Sequence, residues 1–137
     1  MDVRLLEPGD EGVMVGYDKD AFDAEVTPAQ LTAYLAAPLH KMAVAVVDGV
    51  VVGQARAVLH VQPDEPLGLY LDNLGVAETH KRKGLATAMV AALKRWGQAK
   101  GAQSFWVATE SDNEEGLGFY RALGLKGEGM TYFEDSF

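Results

Sequence analysis

His80-Lys81-Arg82-Lys83-Gly84-Leu85-Ala86-Thr87 is the stretch on which the fold turns. It sets three adjacent cations and a glycine between an apolar, strand-like run over 67–76 and a helix whose Leu85, Met89, Leu93 and Trp96 recur on one face. A helix start leaves its first amide N–H groups without carbonyl partners and carries partial positive charge, so an anion is stabilised there. Gly84 removes the side chain that would obstruct the approach. The chain has a formal net charge of −8, so a basic triplet beside a helix dipole concentrates positive potential at one place on an acidic protein. Strand, basic loop and helix in that order predict an α/β domain with a phosphate-type site. The spacing is neither GxxxxGK[ST] nor GxGxxG, which sets aside the common nucleotide loops.

Working outward, the chain reads as one domain over 1–137, long enough to bury about two-thirds of the surface its unfolded form exposes. A first strand spans 3–6 and ends at the turn residues Pro8-Gly9-Asp10. A helix over 10–17 is weakened by Gly12 and Gly16. Thr27-Pro28 supplies an N-cap and a first-turn proline for a helix that stops before Pro38. Residues 42–47 and 50–59 form a hairpin around Asp48-Gly49, which supplies the positive φ angles of a tight turn. In the strand over 67–76, Leu67, Leu69 and Leu71 alternate, but the apolar positions then change phase to Leu74 and Val76. One extra residue between Leu71 and Leu74, a β-bulge, accounts for the change. The long helix runs to about 100 and closes at Gly101, a strand follows over 105–109, Asn113 caps a helix ending at Gly124, and a last strand covers 130–134.

Composition excludes several chemistries. With no cysteine there is no disulfide, thiolate metal site or cysteine nucleophile. His40, His60 and His80 do not form a His-x-x-x-His pair, so no metal site is expected. Ser104, Ser111 and Ser136 do not sit in GxSxG, which favours chemistry without a covalent enzyme intermediate. A net charge of −8 argues against nucleic acid as partner. No apolar run approaches the ~20 residues of a membrane span and the N-terminus lacks a signal-peptide core, so a cytoplasmic protein without a membrane partner is expected.

Lys81-Arg82-Lys83-Gly84-Leu85-Ala86 resembles the pyrophosphate loop of the GNAT superfamily of N-acetyltransferases, Arg/Gln-x-x-Gly-x-Gly/Ala, with Lys81 at the usual Arg or Gln position. A second segment agrees: Asn113 followed by Glu114-Glu115-Gly116-Leu117-Gly118-Phe119-Tyr120-Arg121-Ala122-Leu123-Gly124-Leu125 is similar to the family's Asn, Tyr-bearing helix and closing Leu-Gly-Phe, with Leu125 in the Phe position. The likeness extends from about Val44 to the C-terminus. Within the superfamily, Leu69-Tyr70-Leu71-Asp72-Asn73-Leu74-Gly75-Val76 and the loop after it resemble the aminoglycoside 3-N-acetyltransferase-like group.

The resemblance implies a GNAT fold: a mixed central sheet, flanking helices, and a bulged central strand splayed from its neighbour. It also implies acetyl-coenzyme A as cofactor and transfer of an acetyl group to a primary amine by direct attack in a ternary complex. The alternative is a module of the same fold that senses acyl-coenzyme A without turnover. On the family pattern the pyrophosphate contacts fall to Lys81, Arg82, Lys83, Gly84, Leu85, Ala86 and Thr87, the pantetheine contacts to Leu74, Gly75 and Val76, and a further coenzyme-A contact to Asn113. Tyr120 matches the tyrosine that lies near the sulfur and acts as general acid. Asp72 and Glu110 are candidates for the base or for binding the acceptor, and an amine whose pKa is lowered on binding needs no dedicated base. Acids in the segments around these strands lead to the expectation of a small cationic amine as acceptor. A C-terminal strand ending in Phe137 is able to pair across a homodimer.

Overall fold

Asp48 and Gly49 both adopt positive φ, 51° and 77°, as a tight two-residue reversal demands. They join β2 (His40–Val47) to β3 (Val50–His60). A computed structural model describes residues 2–137, which divide into two compact units, the first ending at Val107 and the second being Ala108–Phe137. The first unit is built on a five-stranded sheet in the order β1-β2-β3-β4-β5, with β1 Asp2–Leu5, β4 Gly68–Val76 and β5 Ser104–Val107. The first three pairings are antiparallel and β4 with β5 is parallel, which makes the sheet mixed as expected.

Helix α1 (Pro28–Ala36) starts as the sequence predicts, with Thr27 Oγ1 accepting from the Gln30 amide at 3.3 Å. Its Leu31 and Leu35 pack on one sheet face with Leu6, Met14, Met42, Val44 and Val51. Helix α2 (Leu85–Ala99) takes the other face. A side-chain carbon built on Gly53 would lie 3.1 Å from the Met89 methyl, and Gly53 stands opposite Ala45, so Ala43, Ala45, Ala55 and Ala57 face α2. These small, fully buried residues let Met89 and Leu93 sit close against the sheet. The helix closes at Gly101 with φ 100°.

The phase change in β4 is a bulge. Ala57 pairs with Leu71 and Arg56 with Asn73, so Asp72 is the extra residue. Leu69 and Leu71 are buried before the bulge, and the inserted residue returns Leu74 and Val76 to the same face after it. The parallel ladder with β5 ends at Leu71 opposite Val107, so beyond the bulge β4 has no strand partner on that edge among the described residues.

In the second unit α3 (Glu114–Ala122) is capped by Asn113 Oδ1, which accepts from the Gly116 amide at 3.1 Å, and Gly124 follows with φ 86°.

Three expectations are corrected. Residues 10–17 give only a 3₁₀ turn, Asp10–Met14, because Gly12 and Gly16 disfavour a helix and Tyr17 is instead bridged to Val51. β5 ends at Val107 rather than at 109. The last strand, over 130–134, is absent: a strand persists only where another pairs with it, and the second unit contains none. The C-terminal strand that would be able to pair across a homodimer is therefore not formed.

Leu93→Ala should lower unfolding stability by about 2–5 kcal/mol, since a fully buried leucine is replaced by a cavity. Urea titration should give a lower midpoint at unchanged slope.

Candidate functional site

The site grows from the end of β4. A chain segment around Ala21 crosses this strand at Gly75, where a side-chain carbon would collide with the Ala21 carbonyl oxygen. Gln54, fully buried on β3, fastens the crossing: its Nε2 donates to Ala21 O at 3.0 Å and to Asn73 Oδ1 at 2.7 Å. Asn73 Nδ2 in turn donates to Asp23 Oδ2 at 2.8 Å. Residues far apart in sequence thus hold the strand rigid immediately after the bulge.

Beyond Val76 the chain is held at each step. The amide of buried Ala77 donates to Val52 O at 2.8 Å, and the Glu78 amide donates to Asp20 Oδ2 at 2.7 Å. A 3₁₀ turn, Glu78–His80, follows, and Lys81 Nζ lies 2.9 Å from Glu78 Oε2. Arg82 has φ 62° and Gly84 φ 79°, so two left-handed residues bend the loop into α2. No side chain caps this helix at Gly84, and a side-chain carbon there would meet nothing within 4 Å. The first intrahelical bond is that of Ala88 N to Gly84 O, at 3.0 Å. Arg82, Lys83, Gly84 and Thr87 are exposed, while Leu85 is buried and anchors the turn. An anion fits such an end: backbone donors point outward, flanked by cations, with no side chain at the cap.

The structure therefore groups Asp72, Leu74, Gly75, Val76 and the loop over 81–87 along one strand and the helix that follows it. Asp72 is exposed at the bulge. Glu110, Asn113 and Tyr120 belong to the second unit. There Glu110 O accepts from the Asn113 amide at 3.0 Å, Asn113 Nδ2 donates to Thr109 Oγ1 at 2.9 Å, and the Tyr120 ring stands edge-on to Phe119 with centroids 5.1 Å apart.

Sequence reasoning missed the sheet face beside the bulge. Met42 stands opposite Arg56, and Arg56 opposite Asn73, which puts Arg56 on the side that carries α1. Arg56 Nε and the Tyr34 hydroxyl are both buried without a hydrogen-bond partner, as is Gln54 Oε1. Burial raises the pKa of Tyr34 above the ordinary phenol value; Arg56 opposes the shift and Asp72 adds to it. The phenol therefore stays a neutral donor throughout the working pH range. Tyr70, whose ring centroid is 5.5 Å from that of Trp106, continues the same face. Among the described residues no group of His, Asp and Glu is arranged to hold a metal, and no helix is long and apolar enough to cross a membrane.

Gly75→Ala should displace the crossing segment and lower stability by about 1–3 kcal/mol, because backbone rather than a flexible side chain is in the way. Gly127→Ala, which meets nothing, should stay within about 0.5 kcal/mol of the parent. Equal unfolding midpoints for the two variants would show that the crossing is not tight.

The sequence profile of the acetyltransferase (GNAT) family matches residues 13–125. No curated protein matches the chain in sequence. Among solved structures, an aminoglycoside acetyltransferase from an uncultured soil metagenomic sample, in complex with trehalose, is similar with a TM-score of 0.86 at 18% identity, over 99% of this chain and 95% of that one. AAC(6')-Iy in complex with the bisubstrate analogue CoA-S-monomethyl-acetylneamine gives 0.80 at 24% identity, over 98% and 97%. A ribosomal-protein-alanine N-acetyltransferase from Brucella melitensis biovar Abortus 2308 gives 0.75 at 18% identity, over 99% and 100%. At these identities the likeness establishes the fold.

Proposed function

The chain belongs to the acetyltransferase (GNAT) family, and on that premise we propose that it is a single-domain N-acetyltransferase using acetyl-coenzyme A to acetylate a primary amine of a small acceptor. One observation carries this proposal: the bulge that ends the β4–β5 ladder and the uncapped start of α2 lie at the two ends of one continuous segment. A freed strand edge offers main-chain groups to an amide-bearing arm, and an uncapped helix start offers amides to a diphosphate. The residues present thus fit coenzyme A. The similar AAC(6')-Iy is solved both with coenzyme A and with the bisubstrate analogue, which supports the same choice.

Acetyl-coenzyme A supplies an acetyl group activated as a thioester. The amides over 82–87 hold the diphosphate, with Lys81, Arg82 and Lys83 adding positive charge around it. Main-chain groups of Leu74, Gly75 and Val76 align the pantetheine arm along β4, and an N–H near Val76 polarises the thioester carbonyl. Asn113 contributes a further contact from the start of α3. The amine arrives as an ammonium ion, loses a proton to Asp72 or Glu110 directly or through water, and its lone pair attacks the acetyl carbon. As the C–S bond breaks, Tyr120 donates its phenolic proton to the departing sulfur, and the second proton of the former ammonium group, shed by the nitrogen as the amide forms, returns to the Tyr120 phenolate directly or through water.

Gly84→Val places a branched side chain at a left-handed residue in the diphosphate path. Coenzyme-A affinity measured by calorimetry should fall at least tenfold; equal affinity in a folded variant would remove this loop from the site. Tyr120→Phe keeps the ring beside Phe119 and deletes the donor. Single-turnover acetyl transfer should slow by roughly 10²–10⁴ with little change in cofactor affinity. A rate unchanged at every pH would make Tyr120 a packing residue. Cofactor binding without thiol release for any amine would favour the sensor alternative.

A further inference from the structure

The α1 face beside the bulge has two charges of opposite sign that do not pair with each other. Arg56 stands opposite Asn73, the residue after Asp72, yet the ion pairs of the described residues include neither Arg56 nor Asp72. Arg56 Nε is buried without a hydrogen-bond partner, and so is the hydroxyl of Tyr34, which feels the charges of both Arg56 and Asp72. A buried donor without a partner is costly, and a half-buried guanidinium more so, unless something supplied at the site satisfies it. Two donors, one of them cationic, suit an anionic oxygen group, and the planar guanidinium fork matches a carboxylate. A purely cationic acceptor would set its charge against Arg56.

We infer that the acceptor is an amino acid or similar aminocarboxylate, its ammonium group facing Asp72 and its carboxylate received by Arg56 and Tyr34. This rests on the acetyltransferase reading above and refines the cationic acceptor expected from the sequence: the attacking amine is positive on arrival, but the acceptor carries an acid group beside it. Tyr70 and Trp106 extend the same face with aromatic surface, so an aromatic side chain is a suitable probe.

The experiment measures binding and turnover separately. Calorimetry compares product-like pairs that differ only in the carboxylate, beginning with N-acetyl-L-phenylalanine against N-acetyl-2-phenylethylamine and continuing with the glycine, alanine and lysine pairs. Wild type should bind the acid of at least one pair ten times more tightly. Arg56→Met should bring that pair to parity, Arg56→Lys should recover part of the preference, and Tyr34→Phe should weaken the acid severalfold while leaving the amide unchanged. Tyr34→Phe also keeps the proposal testable if Arg56→Met does not fold. No acid preference in any pair, or a preference untouched by both Arg56→Met and Tyr34→Phe, overturns it. Thiol release with the corresponding free amines reports on the acetyltransferase reading. Acid-selective binding without turnover would sink that reading alone, whereas turnover of amines with no acid preference would sink this inference alone.

Discussion

One inserted residue, Asp72, organises the first unit. A strand alternates its side chains strictly, so a chain that buries Leu69 and Leu71 under α2 and then turns the half-buried Leu74 and Val76 to the same face has to gain a residue between them. That requirement of the core also shapes the surface. It coincides with the end of the ladder to β5 and leaves Asp72 exposed, with Arg56 opposite its neighbour. Packing and chemistry are thus coupled at a single backbone irregularity.

The rest of the unit keeps that irregularity in place. Gly75 admits the Ala21 carbonyl, Gln54 ties Ala21 to Asn73, and Asp20 holds the Glu78 amide just after the strand. Because Gln54 is fully buried, its amide bonds form in a low dielectric where they are strong and where their loss is costly. The loop that follows therefore leaves a fixed point and enters α2 through Arg82 and Gly84, both left-handed. A binding site made from backbone groups needs this rigidity, since amides recognise a ligand only when they do not have to be ordered at the moment of binding.

Much of this was legible in the sequence because it is local. The phase change from Leu71 to Leu74, the Asp48-Gly49 turn, the Thr27-Pro28 start and the Gly84 helix entry each depend on neighbouring residues only. What escaped is non-local. Nothing near Arg56 or Tyr34 in the chain announces that the sheet face bearing Arg56 is the one that carries α1 and its Tyr34, and the Asn73–Asp23 and Glu78–Asp20 bonds join residues 50 and 58 positions apart. The strand expected over 130–134 failed for the same reason: alternation supplies a suitable segment, but a partner strand has to be present to make it one.

The most direct measurement is a crystal structure of the protein with coenzyme A bound. The account predicts diphosphate oxygens at hydrogen-bonding distance, about 2.7–3.2 Å, from amides within residues 82–87, and a pantetheine arm running along Leu74, Gly75 and Val76 at the freed edge of β4. Coenzyme A lying elsewhere, for instance in the shallow pocket lined by Leu69, Lys94 and Phe105, would contradict it.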